Sequence, residues 1–155
     1  MPNRSLIASD QPLTDQQRAA LRRLAGLMIP ASLDYGAPGA DDEAIFADIL
    51  KTLAPQSELV RQAVDELNAV AGGDFAELDP AAQSAASERF RTSGSPLVGL
   101  LVALVTQCYY RDDRVMRSLE MEPRPPFPLG FELEDGDWSL LDPVRARGKR
   151  YRDAP

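Results

Sequence analysis

Up to about residue 120 the chain is punctuated for helices. A residue that can satisfy the free N–H groups of a helix start is followed by an apolar run of helical period and then by proline or glycine, and this order recurs. Thr14-Asp15-Gln16-Gln17 has the form of a capping box, in which the threonine hydroxyl and a glutamine side chain satisfy reciprocal backbone donors. Leu21, Leu24, Leu27 and Met28 follow at helical spacing, and Pro30 ends the run because it has no N–H to continue the ladder. Gly36, Pro38 and Gly39 mark 32–40 as a loop, after which Asp41 or Asp42 can cap a second helix. Its apolar face is Ile45, Ile49 and Leu53, with Phe46 and Leu50 beside it, and Pro55 stops it. A third helix fits Ser57–Ala71, burying Val60, Val64 and Leu67 and closing at Gly72-Gly73, where left-handed backbone is inexpensive.

Phe75 and Leu78 read as an apolar staple before Asp79-Pro80, a cap followed by proline in the first turn, and a fourth helix runs towards Phe90. Its Ala81, Ala82, Ala85 and Ala86 would permit close approach of a neighbour. Ser95-Pro96 repeats the start signal for a fifth helix over 97–110, which is apolar on nearly every side. A helix without a polar face is expected to be buried all round, and about 14 residues fall short of the roughly 20 that cross a bilayer. Asp112 or Asp113 can cap a short sixth helix through Val115, Met116 and Leu119. Beyond it, 13 prolines in the whole chain are too many for uniform helix, and several fall in the stretch MEPRPPFPLG. The expectation is an all-α protein: a compact bundle of five to six helices over 1–120, and an extended Pro-rich C-terminal arm over 121–155, with Trp138, Leu140, Leu141 and Val144 as its apolar anchors.

The formal charge of −7 argues against a general affinity for nucleic acid or an anionic membrane, both of which need a surplus of Lys and Arg. The charge is uneven, since residues 144–155 hold Arg145, Arg147, Lys149, Arg150 and Arg152 against Asp153 alone. One cysteine, Cys108, excludes an internal disulfide framework. MPNRSLIASDQPLT has no apolar core of signal-peptide length, and Arg22-Arg23 precedes only LAGLMIP, so that pair reads as helix surface instead of a twin-arginine signal. A cytoplasmic location is expected, or a periplasmic one only on export with a partner.

With no histidine, the chain lacks the commonest general base and metal ligand and one member of every Ser-His-Asp arrangement. One cysteine makes no zinc or iron–sulfur site, and no GxGxxG or GxxxxGK[ST] stands at a strand-to-helix turn. The carboxylate pairs Asp41-Asp42, Asp65-Glu66 and Asp112-Asp113 sit at predicted helix starts or on polar faces, where caps and solvated surface account for them. Cys108 lies in the most apolar helix, where burial raises a thiol's pKa and protects it. No catalytic, cofactor-binding or metal-binding residue is assigned.

Three segments in order carry a resemblance: LTDQQRAALRRLAGLMIPAS at 13–32, GDFAELDPAAQ at 73–83, and CYYRDDRVMRSLEMEPRPPFPLG at 108–130. The chain resembles the gluconate 2-dehydrogenase subunit 3 family, whose pattern is similar: a leucine-rich first helix ending in Ile-Pro-Ala, a Phe-x-x-Leu before a capped helix, then paired tyrosines and a proline-rich stretch ending in glycine. The resemblance implies an accessory, non-catalytic subunit of a large FAD-dependent oxidoreductase of the glucose–methanol–choline type, acting on sugars, sugar acids, polyols or glycosides. FAD would belong to that partner, and in some members a cytochrome subunit takes the electrons. Aromatic residues and arginines dominate interface energetics, so the residues expected to face a partner are Tyr109, Tyr110, Pro125, Pro126, Phe127, Pro128, Trp138, Leu141, Arg147 and Tyr151. One tyrosine of the pair is expected to belong to the core with its hydroxyl satisfied. The alternative function is a stand-alone helical binding or chaperone-like module without a flavoprotein client.

Overall fold

The computed structural model describes residues 13–125, 127, 128, 130 and 136–149. Pro126 and Tyr151 lie outside them. The chain divides into two units, 1–123 and 124–155. Among the described residues the structure is all helical apart from an isolated bridge between Ser32 and Ala37 in the loop after the first helix.

Among its described residues the first unit holds six α-helices: α1 (Asp15–Met28), α2 (Glu43–Thr52), α3 (Ser57–Ala71), α4 (Pro80–Arg91), α5 (Pro96–Tyr109) and α6 (Asp113–Ser118). The capping box forms, with the Gln17 N–H donating to Thr14 Oγ1 at 3.2 Å and the Thr14 N–H donating to Gln17 Oε1 at 3.1 Å. Of the two aspartates before α2, Asp42 is the cap, accepting from the N–H groups of Ala44 and Ile45. Pro55 falls in a single 3-10 turn, Ala54–Gln56, that joins α2 to α3. Gly72 closes α3 at φ +77°, a left-handed position that a side chain would strain.

α3 is the centre of the unit and packs on α1, α4 and α5. Its Val60, Ala63, Val64 and Leu67 are fully buried, as the i, i+3, i+4, i+7 spacing dictates. Phe75, in the 3-10 turn Phe75–Glu77, is buried outright between α3 and α1. Its position is held by polar contacts: the Phe75 N–H donates to Asn68 Oδ1 at 3.0 Å, and buried Gln83 donates through Nε2 to the carbonyls of Phe75 and Ala76 at 3.2 Å each. Leu78 is half-buried against the core. Gln17 is likewise buried and donates to Asp65 Oδ1 at 2.8 Å, tying α1 to α3.

Three expectations need correction. α5 is not buried all round: Leu101, Leu104, Val105, Cys108 and Tyr109 face inward, whereas Gly99, Ala103 and Gln107 are exposed and Val102 is 44% exposed. Its main neighbours are α2 and α3, and two helices cover only about half of a third. Within α4 only Ala86 of the four alanines is buried, while Ala81 and Ala85 face water. The arm is not extended throughout: the second unit contains a 3-10 turn, Trp138–Leu141, running into α7 (Asp142–Ala146). Pro143 is compatible with that helix because it stands in the first turn, where its missing N–H has no partner to lose.

Two residues past the end of α6, Glu120 is a non-glycine residue at φ +58°. The Met121 N–H reaches back to the Met116 carbonyl at 2.9 Å and the Glu120 N–H to that of Arg117 at 3.0 Å, a closure that glycine makes at lower strain. Glu120→Gly is therefore expected to raise stability by about 1 kcal/mol. A urea midpoint unchanged or lowered in that variant would contradict the reading.

Candidate functional site

The site that sequence reasoning missed is an apolar groove of about 490 Å3 between α1, α4 and α5. The chain bends by 116° between α4 and α5, across a turn in which Gly94 takes φ +78°, so the two helices diverge from Phe90. Leu24, Leu27 and Met28 of α1 and Ile29 form one wall, Phe90 of α4 the floor, and Val98, Leu101 and Val102 of α5 the other wall. Ser84 and Ser87 keep the α4 side low. Glu88 and Arg91, at its rim, neutralise each other through two bonds of 2.7 and 2.6 Å. Leu27, at 39% exposed, and Val102 open into it, so this apolar surface meets water. The signal in the sequence was α5 itself: an all-apolar helix in a chain with few helices to surround it has a side left over.

The predicted partner-facing residues divide. Tyr109 is core, and its hydroxyl donates to the Pro38 carbonyl at 3.1 Å, pinning the 32–40 loop. Burial pushes that hydroxyl's pKa up. Tyr110 meets it edge-on at 5.2 Å and is itself half exposed. In the second unit Phe127 is 85% and Trp138 65% exposed, and Pro125, Pro128, Leu141 and Arg147 are exposed as well. Leu140 and Val144 join them. Tyr110 belongs to the first unit and the others to the second.

The carboxylate pairs hold the fold. Arg114 of α6 donates from Nη2 to Asp42 Oδ1 at 2.6 Å and to Asp112 Oδ2 at 2.9 Å, so one guanidinium clamps the caps of α2 and α6. It holds both carboxyls below their ordinary pKa, with the backbone N–H donors of the caps acting in the same sense. Asp65 and Glu66 are engaged by Gln17 and by the Ser95 hydroxyl, the latter at 2.7 Å. Arg111 ties the end of α5 to α2 through Asp48 Oδ2 at 2.5 Å and Thr52 Oγ1 at 2.8 Å, and passes 3.6 Å from Cys108 Sγ. Burial raises the pKa of that thiol. Among the described residues no group of acidic or cysteine side chains is arranged to hold a metal ion, and no single helix is long and apolar enough to cross a membrane.

The pKa directions of Asp42 and Asp112 set a pH dependence. A carboxyl whose pKa is lower in the folded state than in the unfolded one adds stability above the unfolded value and loses it as pH falls through the folded value. Unfolding of the wild-type chain should therefore become easier as pH drops below about 4. Arg114→Ala should flatten that acid limb. Parallel limbs in urea titrations of the two proteins would remove the clamp from the account.

The chain matches no protein-family model, and neither a characterised protein nor a solved structure matches it.

Proposed function

We propose that the chain is a non-catalytic small subunit that binds, and stabilises or matures, a large FAD-dependent oxidoreductase acting on sugars, sugar acids, polyols or glycosides. The observation that carries this reading is the set of large apolar side chains displayed outside the core, Tyr110 in the first unit and Phe127, Trp138, Leu140 and Leu141 in the second. Exposed aromatic residues beside arginines are what interface centres are made of. The similarity of 13–32, 73–83 and 108–130 to the gluconate 2-dehydrogenase subunit 3 pattern supplies the kind of partner. FAD belongs to that partner, and the part of this chain is to present surface to it. A cytochrome subunit is a further candidate member of the assembly.

The test is purification of the tagged chain from its native cell. A yellow subunit several times its size should come with it, with the absorbance of an oxidised flavin; a colourless preparation of the chain alone would end the proposal.

The 490 Å3 groove favours a second reading, a stand-alone helical binding module, because its size lies in the range of ligand sites. Gene neighbourhood separates the two. An adjacent reading frame carrying a dinucleotide-binding fingerprint supports the subunit, and its absence the module.

A further inference from the structure

We propose that the groove between α1, α4 and α5 binds a small uncharged amphiphile, an apolar chain carrying a single hydroxyl or carbonyl oxygen, and that Ser87 of α4 bonds that oxygen. The Ser87 hydroxyl carries the inference. Its Oγ is shut off from water and has no hydrogen-bond partner in the protein. A serine or threonine in a helix or at its end can satisfy itself on a carbonyl about one turn back. Thr92, Ser93, Thr106 and Ser118 do so, at 2.9, 2.8, 2.7 and 2.7 Å. Ser87 does not, and it stands in the lining of the groove.

The rest of the lining defines the rest of the ligand. Leu24, Leu27, Phe90, Leu101 and Val102 make the walls apolar, so the body of the ligand is apolar too. A volume of about 490 Å3 suits a small molecule, since ligand sites run from roughly 300 to 1,000 Å3. The charged groups at the rim, Glu88 and Arg91, are closed on each other at 2.7 and 2.6 Å, so the rim offers no unpaired cation to a carboxylate or phosphate head. The head is therefore neutral.

The other uncharged polar side chains of the lining do not serve Ser87, because Ser84 faces water and the Thr106 hydroxyl is bonded to the Val102 carbonyl. A buried water needs about two to four polar partners to be held, whereas a ligand oxygen arrives on a chain that the apolar walls retain. Rotation about χ1, the one torsion that moves Oγ, turns the hydroxyl into the groove. The oxygen it meets there removes the cost of a buried polar group left unbonded. This inference rests on the groove as a ligand site and not on the flavoprotein reading: a yellow co-purifying subunit leaves it standing, and its failure leaves that reading intact.

The experiment is titration of the isotope-labelled full chain with octanol, followed through its amide NMR shifts. Shifts should concentrate on the parts of α1, α4 and α5 that border the groove and saturate with a dissociation constant below about 1 mM. Octanoate, the same chain with a charged head, should bind at least about tenfold more weakly. Ser87→Ala should weaken octanol about five- to tenfold while the melting temperature of the free protein stays level or rises, because the lost hydroxyl bonds nothing there. A hydroxyl that served only the fold would lower the melting temperature and leave the affinity alone, which would overturn the proposal. Val102→Glu, at an exposed wall position, should abolish binding with helicity intact on circular dichroism. Absence of saturable shifts at the groove, or octanoate binding as tightly as octanol, would also overturn it. Octanol binding that is blocked by Val102→Glu but indifferent to Ser87→Ala would keep the groove as a ligand site and refute this assignment of its ligand.

Discussion

Phe75→Ala is expected to remove about 3–5 kcal/mol of folding free energy, the cost of deleting a buried aromatic ring and leaving its cavity. The residue has no exposed surface, and it stands in a 3-10 turn between α3 and α4, where few backbone bonds would hold the segment without it. Its carbonyl is also one of the two that Gln83 satisfies, so a shift of the turn would strand a buried amide as well. Domains of this size are stable by about 5–15 kcal/mol, which makes the substitution severe enough to leave the chain partly unfolded at physiological temperature. A urea titration followed by circular dichroism measures it. A loss below about 1 kcal/mol would mean that the turn does not seal the α1–α3 interface.

The second large effect concerns assembly. Truncation after Gly130 removes the segment that carries Trp138, Leu140, Leu141 and Val144, all exposed, and none of the buried core, which ends at Val115. Helicity and melting of the six-helix unit should change little, by less than about 1 kcal/mol. Co-purification of the proposed flavoprotein partner should be lost altogether, because the exposed aromatic anchor and the basic residues proposed to orient it go together. Undiminished complex formation would refute a part for the arm in binding that partner. Collapse of the truncated chain would assign the segment to the chain's own stability instead.

The helices were legible in the sequence because their ends are local. The capping box at Thr14 and the glycine at 72 act through hydrogen bonds that span a few residues, so the end of α3 and the start of α1 follow from chemistry within one turn. Asp41 against Asp42 was undecided, since either carboxylate can cap; the structure puts Asp42 there, where Arg114, 72 residues away, also holds it. The groove was not legible for a related reason. Apolar character along α5 states what the helix would gain by burial, and only the placement of α2 and α3 decides which side receives it. The same limit applies to Gln17, whose capping role is local but whose bond to Asp65 spans 48 residues. Of the residues expected to face a partner, only Tyr109 proved to be core among those described. Its neighbour Tyr110 lies 100° further around the same helix end, and sequence does not say which of two adjacent aromatic rings turns inward.

The single tryptophan, Trp138, stands in the second unit, and it is 65% exposed. Intrinsic indole emission from this protein is therefore a reporter of the second unit. Excited selectively, the protein should already emit at the long wavelength of a hydrated indole while folded, and denaturant should scarcely move that maximum even as helicity disappears. A flat fluorescence trace beside a cooperative circular-dichroism transition would be the normal optical behaviour of this chain, and it should not be read as resistance to unfolding.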